Sequence, residues 1–158
     1  MKTRWTLLLA AGLLLAPAGC QDPSWTRSQA VDHYIRGRVL ADEGDANAAL
    51  AELAEAIRKD PNLAVAHAAM GDIFRRQGNL DRARQSYESA CQSDPYAFRP
   101  HYNLAVTYQM LAQAAGAVAK VEAYLQNAVR VYLRAVAIEP DDFDTNLNLS
   151  ACYFQLNK

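Results

Sequence analysis

The sequence predicts an all-α protein built as a solenoid of stacked helix pairs. Residues recur at a spacing of 34, small and large apolar residues alternate in fixed columns, and a proline closes each unit. Pro61 and Pro95 stand 34 apart, each preceded by Asp. The same shift of 34 superposes Gly37 on Gly71, Leu40 on Phe74, Ala49 on Ala83, Leu53 on Tyr87 and Ala56 on Ala90. A third unit repeats Ala105 and Tyr108 at this spacing, then jumps by 45 to Ala128, Tyr132, Ala135 and Pro140. Eleven additional residues therefore lie between Tyr108 and Ala128. A half unit with Leu149, Ser150 and Tyr153 follows.

Each column has a physical meaning. Gly37, Gly71 and Ala105 fall in the middle of the first helix of a pair, where a larger side chain would push two close-packed helices apart. On the second helix, Ala49, Ala83 and Ala128, with Ala56, Ala90 and Ala135 seven further on, allow approach at the near end of the usual axial separation of about 8–10 Å. Leu53, Tyr87 and Tyr132 fill the space between them. Gly44-Asp45 and Gly78-Asn79 stop one helix and start the next. Pro61, Pro95 and Pro140 end each unit, because proline cannot continue the preceding helix.

Composition narrows the function classes. At 158 residues and 51% hydrophobic content the chain suits one folded domain and excludes a disordered or collagen-like one. A formal net charge of −1 gives no basic field for nucleic acid. The first twenty residues differ from the rest: Lys2 and Arg4 precede an apolar run from Leu7 to Ala16, then small residues. Ten helical residues span about 15 Å, half a hydrocarbon core, so this is read as a signal peptide and not a permanent span.

The end of that segment, Ala18-Gly19-Cys20, resembles a bacterial lipoprotein processing site, in which small residues precede a cysteine acylated after cleavage. Pro17 departs from that pattern, which favours an aliphatic residue there. Ala16-Pro17-Ala18 also reads as an ordinary signal-peptidase site, which would release a soluble secreted protein cut after Ala18. Lipidation of Cys20 would anchor the chain firmly, since several acyl chains hold where one holds only marginally. Gln21 in place of Asp after the cysteine favours, by resemblance to enterobacterial lipoproteins, the outer membrane.

The repeat pattern resembles that of the tetratricopeptide-repeat (TPR) family over residues 28–158. Arg36 departs from it where an apolar residue is expected. The resemblance implies a right-handed α-solenoid of about three TPR helix pairs and a C-terminal closing helix. The implied layout is a signal peptide over 1–19, lipidated cysteine and short tether over 20–27, repeats at about 30–63, 64–97 and 98–142, and a half repeat at 143–158. Leu147, Leu149, Tyr153 and Phe154 are expected to cover the last open face. The insertion, Leu111 to Val121, is expected to lengthen both helices of the third pair, with a bend near Gly116 and with Leu111, Val118 and Val121 left uncovered.

In this family the first helices line a concave groove that takes extended peptides or helices. Carried over by column, the groove would present Tyr34, Arg38, Asp72, Arg75, Arg99, Tyr102 and Gln109. Tyrosine and arginine suit contact surfaces because each combines area with a polar tip, and arginine can grip a carboxylate. The clamp that some relatives use for chaperone tails is not reproduced, since Tyr34, Arg38 and Ala69 stand where Lys, Asn and Asn are expected.

Other tempting residues have plainer explanations. His33, His67 and His101 recur every 34 residues, which puts them about 10 Å apart in a solenoid, too far to share a zinc ion. Packing between helices explains them. Cys91 and Cys152 are nearly two units apart and read as small buried thiols. Asp141, Asp142 and Asp144 read as helix N-terminal chemistry. No nucleophile elbow or phosphate loop is present, so no enzyme, metal or cofactor is expected. The resulting expectation is a non-enzymatic interaction scaffold or assembly factor at the bacterial cell envelope, similar to repeat lipoproteins that help envelope machinery assemble. Two alternatives are a self-associating structural lipoprotein joined through the elongated third repeat, and a regulatory subunit of a separate envelope enzyme.

Overall fold

A computed structural model describes residues 23–157, with side chains described from Trp25 onward. The signal segment and Cys20 lie outside the described residues. Among the described residues the chain forms seven α-helices and no strand: α1 (Pro23–Asp42), α2 (Ala46–Lys59), α3 (Ala64–Arg76), α4 (Leu80–Ser93), α5 (Phe98–Ala114), α6 (Val118–Ile138) and α7 (Phe143–Leu156). They pair as hairpins α1–α2, α3–α4 and α5–α6, stacked in chain order and closed by α7 on α6.

The hairpin turns follow from their residues. Gly78 has φ +74°, a left-handed conformation that only glycine adopts without strain. It lets Asn79 N–H reach Phe74 O (2.9 Å) and Gly78 N–H reach Arg75 O (3.0 Å), so the last carbonyls of α3 are satisfied. Asn79 then caps α4 by accepting from Arg82 N–H, and Asp45 caps α2 by accepting from Ala48 N–H. Between repeats, Asp60 and Asp94 accept from the backbone N–H two residues on, Asn62 and Tyr96, in turns built around the following proline.

Packing obeys the size columns. Leu53, Tyr87 and Tyr132 are fully buried, as are the alanines three residues after and four before each of them. A Cβ placed on Gly71 would lie 2.7 Å from two ring carbons of Tyr87, and one on Gly37 would lie 2.8 Å from Leu53 Cγ. These glycines are therefore required by close approach and not by backbone shape. The larger core runs from Phe74 and Tyr87 through Leu104, Tyr108, Leu125 and Tyr132 to Leu149 and Cys152. Repeats are also tied by polar bonds: Tyr108 Oη donates to Glu88 (2.7 Å), and Asn103 Nδ2 donates to Asp72 (3.3 Å).

Several expectations need correction. Helix α1 starts at Pro23, not near Ser28, because proline is well suited to a first helical turn whose N–H has no partner. The stretch read as tether over 20–27 is thus partly helix. The insertion does lengthen both helices: α5 has 17 residues against 13 in α3, and α6 has 21 against 14 in α4. Its bend falls at Ala115–Ala117. Leu111, however, is buried and Val121 is half-buried against the same core, since the two lengthened helices cover each other. Only Val118 stands in solvent, 84% exposed. On α7 the covering residues are Thr145, Leu149 and Cys152, whereas Leu147, Tyr153 and Phe154 are exposed. None of the described helices is long and apolar enough to cross a membrane.

Candidate functional site

The first helices of the pairs, α1, α3 and α5, present their exposed sides to one concave surface. A groove of about 860 Å³ lies there, and Tyr34, Arg38, Asp72, Arg75 and Arg99 all line it. A smaller recess of about 410 Å³ continues it toward α7 and brings in Tyr102 beside Arg99, Glu139 and Asp144. Six of the seven sequence-chosen residues thus fall on this surface.

Gln109 does not. Its Oε1 accepts a hydrogen bond from the fully buried Tyr132 hydroxyl at 2.5 Å, so it is turned inward between α5 and α6. Burial raises the Tyr132 hydroxyl well above the ordinary tyrosine range, so the phenol stays a donor. The Gln109 amide is thus engaged by the core, and it is not among the residues that line the groove.

The groove residues differ in how free they are. Tyr87 reaches from α4 to the groove floor and donates to Asp72 Oδ1 at 2.5 Å, while Arg75 Nε donates to the Tyr87 oxygen at 3.2 Å. A second Arg75 nitrogen lies 3.7 Å from Asp72. Burial, and secondarily the bond to Asp72, pushes the Tyr87 hydroxyl well upward. Burial works against the charge on Arg75, but the hydrogen bond to Tyr87 and the attraction of Asp72 more than offset it. The result is a neutralised, internally bonded floor. Above it, Arg38 Nη1 donates to Tyr34 Oη at 3.3 Å, and Arg99 is exposed with no hydrogen bond or ion pair among the described residues. Tyr102 stacks with Phe98 at a ring separation of 6.0 Å. Its hydroxyl is shifted upward by burial and by the nearby Asp144 and Asp142 carboxylates.

Sequence reasoning missed Val65, Phe98 and Asn103, which also line the groove. Val65 and Arg99 share a repeat column, as do Ala69 and Asn103, so the period of 34 carries that signal. The chemistry available is recognition: guanidinium groups, aromatic faces and an apolar strip of alanines along α3.

The three histidines sit on separate helices with separate partners. His33 donates to Glu52 (2.7 Å), His67 to Pro61 O (2.9 Å) and His101 to Ala97 O (2.9 Å). Among the described residues no three potential metal ligands converge. Cys152 is buried and Cys91 half-buried, both as free thiols. Asp142 caps α7, accepting from Thr145 N–H (2.8 Å) and from its hydroxyl (2.5 Å), and those bonds hold its carboxyl below the usual range.

A family profile described as TPR repeat matches residues 71–111, from the middle of α3 through α4 and most of α5. No curated protein matches the chain in sequence at a significant level. Among solved structures, the first TPR of Spaghetti (RPAP3) bound to an HSP90 peptide aligns with TM-score 0.72 at 15% identity, covering 84% of this chain and 96% of that one. A thermophilic TPR protein of Thermus thermophilus aligns with TM-score 0.67 at 20% identity, over 81% and 66% of the two chains. The second TPR domain of human RPAP3, in complex with an HSP70 peptide, gives 0.66 at 16% identity, over 84% and 98%. At such identities the likeness speaks for the fold. The architecture is an all-α TPR solenoid. The profile match over 71–111 and these neighbours together support the TPR repeat family.

Proposed function

We propose that this chain is a non-enzymatic scaffold or assembly factor at the bacterial cell envelope, holding an extended peptide or helix of a partner protein in its concave groove. The observation that carries the reading is the groove itself: about 860 Å³, open, and rimmed by Tyr34, Arg38 and Arg99, whose polar tips are not consumed by the core. Solved neighbours of the same fold hold peptides, which supports a peptide as the occupant. The peptides named there are an HSP90 and an HSP70 peptide. The substitution of Tyr34, Arg38 and Ala69 for the clamp residues argues for a different sequence here. Four arginines and four carboxylates line the groove, so the partner segment is expected to carry both signs of charge.

The envelope address rests on the leader and on Cys20, whose acylation would hold the folded part near the bilayer, with the outer membrane favoured by Gln21. The groove test is a pull-down from membranes comparing wild type with Arg38→Glu plus Arg99→Glu. These two side chains are chosen over Arg75 because they leave the Asp72–Tyr87 bonds intact. Loss of a specific partner supports the assignment, and identical partner lists reject it. For the anchor, the mass of the mature N-terminus decides between an acylated Cys20 and a free one beginning after Ala18.

A further inference from the structure

The last helix is apolar on two opposite faces. Thr145, Leu149, Cys152 and Leu156, spaced four, three and four apart, pack on the preceding helices. Two residues out of phase, hence about 200° around the helix, Phe143, Leu147, Ser150 and Phe154 repeat the same spacing on the outer face. Phe143 is 75% exposed and Leu147 56%. Phe154 keeps an interaction within its own chain, yet is 64% exposed. Four-three-four spacing is that of a helix–helix seam.

We propose that this seam is a self-association surface on which a second copy of the chain lays its own α7 antiparallel. The register follows from size. Pairing about a two-fold axis between Asn148 and Leu149 sets Phe143 against Phe154 of the second copy and Leu147 against the small Ser150. The Leu147–Ser150 pair follows the large-against-small rule by which Gly71 receives Tyr87 inside the protein, while the two phenylalanines meet ring to ring at each end. Charge selects the direction: parallel helices would bring the two Asp144 carboxylates together, whereas antiparallel ones hold them apart at opposite ends of the seam and let the two helix dipoles oppose.

The area suits a modest dimer. The exposed parts of Phe143, Leu147, Tyr153 and Phe154 amount to roughly 450 Å² per copy on the usual aromatic areas. Two copies with their polar margins reach about 1,000 Å², the lower edge of a specific interface. The pairing differs from association through the elongated third repeat, and it is independent of what the groove holds. An isologous contact of this kind closes at two copies.

Sedimentation equilibrium of the full chain in density-matched detergent tests it over a wide concentration range. A monomer–dimer equilibrium with a dissociation constant on the order of 10 µM is expected. Leu147→Glu and Ser150→Trp, both at solvent-facing positions, should each weaken it by at least about tenfold. Their circular-dichroism melts should match wild type. Val118→Glu at the tip of the third repeat and Ile35→Glu on the opposite end of the solenoid should change nothing. Monomer at every concentration overturns the proposal. So does a dimer abolished by Val118→Glu, which would assign the contact to the third repeat. Masses that keep growing and collapse with Ile35→Glu would also overturn it, as they would mean head-to-tail stacking.

Discussion

Replacing Gly71 with alanine should destabilise this protein, against the ordinary rule for helices. In mid-helix the change normally gains about 1 kcal/mol, because alanine has less backbone entropy to lose. Here the new methyl would sit 2.7 Å from Tyr87 Cδ1 and Cε1 and 2.9 Å from Cζ, where ordinary contact begins near 3.4 Å. The ring has nowhere to go, since Tyr87 is fully buried and its hydroxyl is held by Asp72 and Arg75. Overpacking a well-filled core costs about 1–3 kcal/mol, and a pinned ring belongs at the upper end. The net is a loss of about 1–2 kcal/mol, or a fall of roughly 3–10 °C in melting midpoint. Thermal unfolding followed by circular dichroism reads this directly, with Tyr87→Ala as the second arm. That change removes the ring the methyl would strike, so Gly71→Ala should cost much less in that background. A rise in midpoint for Gly71→Ala alone, or an equal loss in both backgrounds, would refute the argument that ring contact fixes this glycine.

Three further outcomes are expected. Tyr132→Phe leaves the inward-turned Gln109 without its donor and should cost about 1–3 kcal/mol in urea unfolding, while Tyr132→Phe with Gln109→Leu should recover much of it. The Thr145 bonds hold the Asp142 carboxyl below the ordinary aspartate value of 3.8 in the folded state, so its cap contributes fully above that pH and is lost as pH falls toward the depressed value. Melting midpoints of wild type should therefore drop more steeply below about pH 4 than those of Asp142→Asn, which can still accept the Thr145 bonds. Burial, helped by the Glu88 charge, pushes the Cys91 thiol up to about 12, and Cys152 is raised by burial as well. With Cys20 changed to Ala, a thiol reagent at pH 8 should find no fast-reacting group until urea is added.

Much of this was legible in the sequence because solenoid packing is periodic. Gly71, Tyr87 and Ala90 could be placed from a shift of 34 alone, since each faces the same neighbour one repeat on. Legibility failed where the period was broken. Gln109 shares a column with Arg75, yet it turns inward, because it takes over for Tyr132 the task that Asp72 performs for Tyr87. A column reports which side of the helix a residue occupies, not which neighbour claims its amide. Leu111 and Val121 looked uncovered when compared with other repeats, but both helices lengthened together and cover each other. The faces of α7 were misjudged because apolar residues occur on both sides, and only packing shows which side meets α6.

The bonds on the groove floor join two properties that most binding surfaces keep apart. Asp72 and Arg75 face the space a partner would occupy, and the same atoms fasten the phenol that fills the second hairpin. Any change there that alters recognition also loosens a hairpin, so drift at these positions is penalised whatever the ligand. Arg38 and Arg99 carry no such double duty. Specificity is free to evolve along the rim while the floor stays fixed, and related chains with new partners should differ first at those two arginines.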